Sequence, residues 1–350
     1  MLSERQLAIF NLLVNLYTDT GFPVGSNTLM KNGIKASSAT IRNDLVKLED
    51  LGLIQKVHSS SGRIPSEEGY RFYIDNLMKP SVIPFEEQYK IRQLFNREYS
   101  ATNEIIEVSA KILSDLTNYT AFSLGPEVKD RKLTSFKIIP LNSRQLIAII
   151  VTDKGYVESQ VFTVPEEVTD SDIEKMINII NDRLIGKSLL TVYHQLRTEI
   201  PLILQRYFTN SSNMLLLFED VFHQVFDDQI YVSGGMNLLD SGSLENVSEF
   251  KSIYSLFTDT ERLSELILPG ESEIEIKVGN EINNELLTNM SLVTASYQVS
   301  DHGNGVVALL GPTSMSYAKM MGLLNVFKTE LSDHLESHYR SLGSSNTSNG

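Results

Sequence analysis

The sequence contains no cysteine, which excludes a disulfide framework and a zinc site built from thiolates. It also lacks a long hydrophobic run, because the longest, "LIAIIV" at 146–151, is far shorter than the roughly 20 residues that a spanning helix needs. The first residues, "MLSERQ", do not show the basic and then apolar pattern of a signal peptide. We therefore expect a cytoplasmic protein.

An excess of basic residues is missing as well. The net charge of -14 argues against a chain that coats nucleic acid or anionic membranes along its whole length. The charge is unevenly spread, however. Residues 1–80 hold nine basic and eight acidic residues, whereas residues 81–350 hold 21 basic and 36 acidic residues. The first 80 residues, with a net charge of +1, are therefore the part of the chain that DNA should attract.

The length of 350 residues and the hydrophobic content of 41% predict two or three globular domains. In the first 78 residues, helical periodicity and capping residues predict three helices, then a short strand, a Ser/Gly loop and a fourth helix. This order is typical of a winged helix-turn-helix. The predicted elements lie at 3–20, 26–31, 38–51, 53–57 and 67–78.

The third predicted helix has an apolar stripe and an opposite polar face, which is the pattern of a recognition helix. On the polar face, Arg42 can pair with guanine, Asn43 can pair with adenine, and Lys47 is placed for a phosphate. The loop "HSSSGRIP" would form the wing, with Arg63 directed at a phosphate or the minor groove. The candidate DNA-binding residues are Ser37, Ser38, Thr40, Arg42, Asn43, Lys47, His58, Ser61 and Arg63.

Two less specific interpretations of this helix stay open at this point. A helix with Arg, Asn and Lys on one side is usually solvated, and winged helices also serve as modules that bind other proteins. The positive charge of residues 1–80 is far below that of strongly basic DNA-binding domains.

Two segments carry a resemblance to a known family. Residues 37–75, "SSATIRNDLVKLEDLGLIQKVHSSSGRIPSEEGYRFYID", resemble the N-terminal domain of the heat-inducible transcription repressors of the HrcA family. Residues 309–317, "LLGPTSMSY", resemble the C-terminal motif of that family. Ser314 departs from this motif, since a basic residue is common at that position. Between these segments the resemblance lies mainly in length and in the order of elements.

The resemblance implies a bacterial, dimeric repressor that binds an inverted-repeat DNA operator ahead of heat-shock (chaperone) operons. It also implies that a GroEL-type chaperonin keeps the repressor active and that heat stress abolishes repression. No catalytic residues, cofactors or membrane partner are implied.

The fold class expected from the resemblance is an α+β multidomain chain. An N-terminal winged helix-turn-helix would precede a GAF-like α/β domain, which would contain an inserted, mainly helical dimerisation segment. The expected boundaries are 1–78 for the winged helix, 79–103 for a linker or connecting helix, 104–165 and 236–342 for the split GAF-like domain, 166–235 for the insert, and 343–350 for a disordered tail.

The predicted insert contains a wide apolar stripe in "SNMLLLFEDVFHQVF". Such a stripe fits either a core or a helix–helix interface, and the family layout favours the interface. The candidate dimerisation residues are Leu215, Phe218, Phe222 and Val225.

An alternative regulation is a small-molecule effector bound in the GAF-like domain, although no residue cluster marks a site for it. Nucleotide-binding and hydrolase motifs are absent from the sequence. His334 and His338 have the spacing of two metal ligands on a helix, but the sequence shows no third ligand beside them, so we expect a solvated helix and no metal.

Overall fold

A computed structural model gives the coordinates of the chain, which divides into two compact units. The first unit comprises residues 1–124, 230–297 and 305–350, and the second comprises residues 125–229 and 298–304. The residues that the structure describes are 2–57, 62–97, 99, 102–126, 132–142, 145–153, 157–163, 169–187, 191–192, 195, 199–200, 202–203, 230–240, 247–267 and 272–345.

The N-terminal part of the first unit, residues 2–76, has the predicted order of elements and is called the winged-helix region below. Three helices are followed by a two-stranded antiparallel sheet and a fourth helix. The prediction of a winged helix-turn-helix is confirmed in this order. The elements are α1 (Glu4–Thr20), α2 (Ser26–Lys31), α3 (Ser38–Asp50), β1 (Ile54–Lys56), β2 (Arg63–Pro65) and α4 (Glu67–Asn76).

Serine hydroxyls begin three of these helices. Ser3 and Gln6 form the predicted capping box at α1, since each side chain bonds the other's backbone N–H. The Oγ atom of Ser37 accepts from the third residue of α3, and Ser66 does the same for α4. The sequence predicts a cap at Ser37 or Ser38 for α3 and at Ser66 for α4, and the structure shows Ser37 and Ser66 as the caps.

Apolar side chains on the facing sides of α1, α3 and α4 form the core of the winged-helix region. Ile41, Leu45 and Leu48 of the predicted stripe of α3 are buried, whereas Leu51 at its end is exposed, as are the polar side chains of the opposite face. The buried members are Ile9, Phe10, Leu13, Leu29, Ile41, Leu45, Leu48, Tyr70 and Tyr73.

The rest of the first unit, residues 85–124, 230–297 and 305–345, is called the sheet region below. Its five-stranded sheet has the order β7-β3-β10-β9-β8. The strands are β3 (Thr120–Leu124), β7 (Ile230–Ser233), β8 (Ile274–Val278), β9 (Met290–Val299) and β10 (Gly303–Pro312).

In the described residues of this region, six helices accompany the sheet. Short helices pack on one face over a core that includes Phe122, Phe257 and Leu310. The sheet-region helices are α5 (Phe85–Phe95), α6 (Thr102–Thr117), α8 (Asn237–Asp240), α9 (Val247–Phe257), α10 (Thr260–Ile267) and α11 (Tyr317–Ser345).

The second unit contains a separate three-stranded antiparallel sheet of order β4-β5-β6 with helix α7 (Asp170–Leu184). Its strands are β4 (Leu133–Pro140), β5 (Gln145–Thr152) and β6 (Val157–Thr163). Asn181 of α7 joins the helix to β4, because its Nδ2 donates to the carbonyl of Phe136 and its Oδ1 accepts from the N–H of Phe136.

The strands of the two expected parts of the split domain, 104–165 and 236–342, do not all join one sheet. Only β3 of the first part pairs with strands of the second, whereas β4, β5 and β6 form a sheet of their own. Strand β7, which we placed in the insert, pairs with β3 instead. The physical reason is that an alternating pattern shows which face of a strand is buried but does not identify its partner. Strands β4, β5 and β6 follow one another closely and pair with their nearest neighbours.

Candidate DNA-binding surface

The outer face of α3 is the candidate recognition surface. The side chains of Arg42, Asn43 and Lys47 are exposed there, on the side opposite the buried Ile41, Leu45 and Leu48. Three polar groups that can reach base edges or phosphates therefore lie on one face of a helix whose other face is fixed in a core.

A buried carboxylate anchors the inner side of α3 to α1. Asp44 accepts hydrogen bonds from Nε of Arg5 at 2.7 Å and from the side-chain amide of Gln6 at 3.2 Å. The Asp44 side chain is only 3% exposed. The hydrogen bond from Arg5 lowers the pKa of Asp44, and this effect outweighs the opposing effect of burial. The carboxylate therefore stays ionised and holds α3 in place.

The Arg42 guanidinium is oriented by serine hydroxyls at the entry to α2 and α3. Its Nε donates to Oγ of Ser26 at 3.4 Å, and Ser26 in turn lies 3.0 Å from Oγ of Ser38. Ser26 is buried. These contacts use one nitrogen of the exposed guanidinium. Among the hydrogen bonds between described residues, none joins Arg42 to a carboxylate. Sequence reasoning missed this role of Ser26.

The N-terminus of α3 exposes two of the predicted residues. Ser37 caps the helix by accepting from the backbone N–H of Thr40 at 3.1 Å, and the two hydroxyls lie 2.9 Å apart. A helix N-terminus carries partial positive charge and favours a phosphate oxygen nearby. Ser37 and Thr40 therefore lie where the DNA backbone would approach a helix inserted in the major groove.

Arg63, the predicted cation of the wing, pairs with a carboxylate of the recognition helix. Its guanidinium forms an ion pair with Glu49 at the end of α3, with Nη2 2.7 Å and Nε 2.9 Å from Oε2. The Arg63 side chain is 12% exposed. The carboxylate of Glu49 holds Arg63 against the recognition helix in this structure, and a contact of Arg63 with DNA stays a prediction.

Backbone contacts hold the base of the wing against the turn that precedes α2. Val24 and Arg63 exchange two backbone hydrogen bonds of 2.8 and 2.9 Å. Gly62 lies so close to Pro23 that an added Cβ would be 2.6 Å from the proline Cβ, so only glycine fits there without a shift. His58 and Ser61, the other two wing residues that we predicted to contact DNA, lie outside the described residues.

The two histidines considered as metal ligands lie on α11. His334 packs against the rings of Phe95 and Tyr99, at centroid distances of 5.9 and 5.4 Å. Burial lowers the pKa of both His334 and His338. Within the described residues, no group of three or more His, Cys, Asp or Glu side chains could hold a metal ion.

Helices in the described part of the chain were also tested for length and hydropathy, and none could span a membrane. A capped recognition helix, a two-stranded wing and a supporting core together define the winged-helix class of DNA-binding proteins.

Comparisons with known proteins identify the family. The model of the winged helix-turn-helix transcription repressor HrcA DNA-binding domain matches residues 1–75, and the model of the HrcA protein C terminal domain matches residues 103–321. The chain belongs to the HrcA family of heat-inducible transcription repressors, which is not a class of enzymes.

Similar proteins over the full length carry the same description. The heat-inducible transcription repressor HrcA of Enterococcus faecalis is 53% identical over 346 residues, which cover 98% of this chain and 100% of the relative. That of Tetragenococcus halophilus is 50% identical over 344 residues, which cover 98% of this chain and 99% of the relative. The resemblance found in the sequence is thereby confirmed.

A crystal structure described as that of a hypothetical protein has a similar fold. It has a TM-score of 0.60 and 24% sequence identity, and the match covers 96% of this chain and 99% of that one.

Proposed function

We propose that the chain represses chaperone operons by binding an inverted-repeat operator as a dimer, with α3 of each protomer in the major groove of one half-site. The observation that carries this proposal is the exposed set Arg42, Asn43 and Lys47 on a helix that Asp44 anchors from behind. Arg42 would donate to guanine O6 and N7, Asn43 would bond adenine, and Lys47 would neutralise a phosphate.

The helix N-terminus and the wing would complete the contact with DNA. Ser37 and Thr40 would donate hydrogen bonds to phosphate oxygens. Ser38 would hold Ser26 beside the Arg42 side chain, which contacts the base. His58 and Ser61 stay proposed wing contacts. Because Arg63 is paired with Glu49, we assign it the role of fixing the wing to the end of α3.

The second unit is the part that we propose to form the dimer. The face of its sheet opposite α7 presents aliphatic side chains at neighbouring positions on three strands, and three of these residues, Ile139, Val157 and Val161, are 44, 58 and 45% exposed. Exposed aliphatic side chains grouped in this way are typical of a surface that another protein covers. The same face also carries Ile147, Ile149 and Val151, together with the polar residues Ser135, Lys137 and Ser159.

The residues earlier proposed for dimerisation, Leu215, Phe218, Phe222 and Val225, lie outside the described residues and remain part of this proposal. We also propose that the sheet region is the GAF-like domain. The insert would then comprise residues 125–229, in place of the 166–235 expected from the sequence, because β4, β5 and β6 lie in the second unit.

A GroEL-type chaperonin would maintain the active repressor. Heat would create unfolded clients that occupy the chaperonin, so that the repressor loses activity and the chaperone genes are transcribed. Support comes from the description of the relatives as heat-inducible and from the chemistry of the chain. The strongly acidic residues 81–350 repel one another, and such self-repulsion lowers the stability of a compact state.

A gel-shift titration would test the proposed function. The probe is an inverted repeat from upstream of a chaperone operon, and the control is the same duplex with both half-sites scrambled. Each is titrated at two salt concentrations, with and without chaperonin. We expect preference for the inverted repeat, affinity that falls steeply with salt, and recovery of binding by chaperonin after heating.

Equal affinity for the two duplexes would contradict sequence-specific repression. Operator affinity that survives heating without chaperonin would contradict the proposed regulation while leaving the DNA-binding function intact. The two parts of the proposal can therefore fail separately.

A further inference from the structure

Helix α4 of the winged-helix region contacts the sheet region through charged side chains that the DNA-binding surface does not use. The carboxylate of Glu67, in the first turn of α4, accepts from the backbone N–H of Asn280 at 2.8 Å and from its side-chain amide at 2.9 Å. Asn280 lies in the short 3-10 turn Gly279–Ile282 that follows β8. One side chain of α4 therefore satisfies two donors of this turn.

Arg71 forms the second contact, one turn further along α4. Its Nη2 donates to the carbonyl of Ile276 at 2.6 Å and to Oε2 of Glu281 at 3.0 Å, and its Nε lies 2.9 Å from Oε1 of Glu281. Its Nη1 donates to Asp75 at 3.0 Å. A planar guanidinium can make all these contacts at once, whereas a lysine ammonium on a flexible stem cannot.

The fit around these polar contacts is close. Gly279 has a φ of +55°, and a Cβ added there would lie 2.6 Å from Cδ of Glu67. Beside them, the buried rings of Tyr70 and Tyr317 meet edge to face with their centroids 5.5 Å apart. We call this set the α4 clamp: Glu67, Tyr70, Arg71, Asn280, Glu281 and Tyr317.

The α4 clamp restrains a connection that the chain alone would leave loose. The segment between α4 and α5, residues 77–84, is neither helix nor strand in the structure. Its described attachment to the sheet region includes the hydrogen bond from the N–H of Ser81 to the carbonyl of Ala318 at 2.8 Å. The α4 clamp adds a second, side-chain attachment, and two separate attachments fix an orientation that one would not.

We propose that the α4 clamp is a positioning device for operator recognition, with Glu67 and Arg71 as positioning residues that do not contact DNA. By fixing α3 relative to the sheet region, it makes a dimer present two recognition helices at one separation. Half-site spacing in an operator matches the separation of the helices in the dimer. The inference rests on the proposed function, since it assumes a dimer on an inverted repeat.

A spacing experiment tests the inference. Wild type, Arg71→Ala, Arg71→Lys and Gly279→Ala are titrated on operators whose half-site separation changes one base pair at a time, and on a single half-site. Arg340→Ala is the control, because Arg340 is an exposed arginine paired with Glu336 on α11.

We expect wild type and the control to show one sharp optimum of spacing. The two Arg71 variants and Gly279→Ala, which crowds Glu67, should each lose about tenfold in affinity at that optimum, because a loose linkage lowers the effective concentration of the second helix at its half-site. These variants should lose little affinity for operators of other spacings and none for the single half-site. A spacing profile as sharp as that of wild type in all three clamp variants would overturn the inference.

A measurement without DNA separates this inference from the proposed function. The chain has no cysteine, so that Asp19→Cys and Thr329→Cys place two spin labels specifically, one on α1 and one on α11. Pulsed electron–electron double resonance measures the distance between the two labels. The distance distribution should be narrow in the otherwise wild-type chain and broad with Arg71→Ala. An equally narrow distribution in both proteins would overturn the clamp even if the operator binds as proposed.

Discussion

Helices α3 and α4 share a capping serine and an amphipathic pattern but differ in what their arginines contact. Each begins at a capping serine, buries an apolar face in the same core and carries an arginine on its polar face. Arg42 of α3 is exposed, and its described hydrogen bond goes to a serine hydroxyl. Arg71 of α4 is held by two carboxylates and a backbone carbonyl.

The difference shows that the number of charges on a helix does not reveal their use. An arginine paired with carboxylates has its charge compensated within the protein, as Arg71 and Arg63 have. An arginine oriented by a neutral hydroxyl keeps its full charge for an anionic partner. The environment of each guanidinium therefore separates the surface for DNA from the surface for the sheet region.

Removing the anchor of α3 should have the largest effect on stability. Asp44→Ala leaves the amide of Gln6 and the guanidinium of Arg5 without their buried acceptor, so the free energy of unfolding should fall by about 2 kcal/mol. Urea unfolding of wild type and variant measures the change. Arg340→Ala is the control, because Arg340 is exposed and its ion pair with Glu336 lies within one helix, away from α3 and α4. Similar losses in both variants would contradict the anchoring role.

The same carboxylate should make stability depend on pH. The hydrogen bond from Arg5 keeps the pKa of Asp44 below its ordinary value, so the unfolded chain binds the proton more readily. The stabilisation is therefore present above about pH 4 and is lost as the pH falls through the lower pKa of the folded state. Asp44→Asn should show a smaller decline of stability on acidification than wild type. Parallel curves for the two proteins would refute this.

Substitution of the capping serines of α3 and α4 should show that the two helices differ in function. Ser37→Ala and Ser66→Ala each remove a helix cap, which costs about 1 kcal/mol. Ser66 also donates to the carbonyl of Gly52, so its loss should lower the melting temperature more. Ser37→Ala should weaken operator binding more, because α3 faces the DNA. Thermal unfolding and gel shift together test this, and the opposite ranking in either assay would break the comparison.

Loss of one phosphate contact, that of Lys47, should have the smallest effect on DNA binding. Lys47→Ala should weaken binding to the operator and to unrelated DNA equally, and the slope of log K against log salt should become less steep by about 0.9. Lys90→Ala, which removes an exposed lysine of α5, is the control and should leave the slope unchanged. A loss confined to the operator would instead assign Lys47 to a base.

The local elements of the winged-helix region could be predicted from the sequence because their signals are local. Ser3 with Gln6, Ser37 and Ser66 mark helix starts, and the buried stripe of α3 follows from its spacing. The sheets could not be predicted in the same way, since pairing between β3 and β7 joins residues more than 100 positions apart.

The candidate site was predictable only in part. Exposure of Arg42, Asn43 and Lys47 follows from helical periodicity, so their common face was found. The ion pair between Arg63 and Glu49 depends on how the strand returns to α3, which no periodicity encodes. For the same reason, the sequence pattern of α4 does not indicate that Arg71 contacts β8 and the turn after it.

The most direct test is a competition titration of wild type and Arg42→Ala against the operator and a scrambled duplex of equal length. We predict that Arg42→Ala loses roughly 1–3 kcal/mol of discrimination, with little change on the scrambled duplex and an unchanged melting temperature. Equal losses on both duplexes would contradict the central claim that α3 reads base sequence through Arg42.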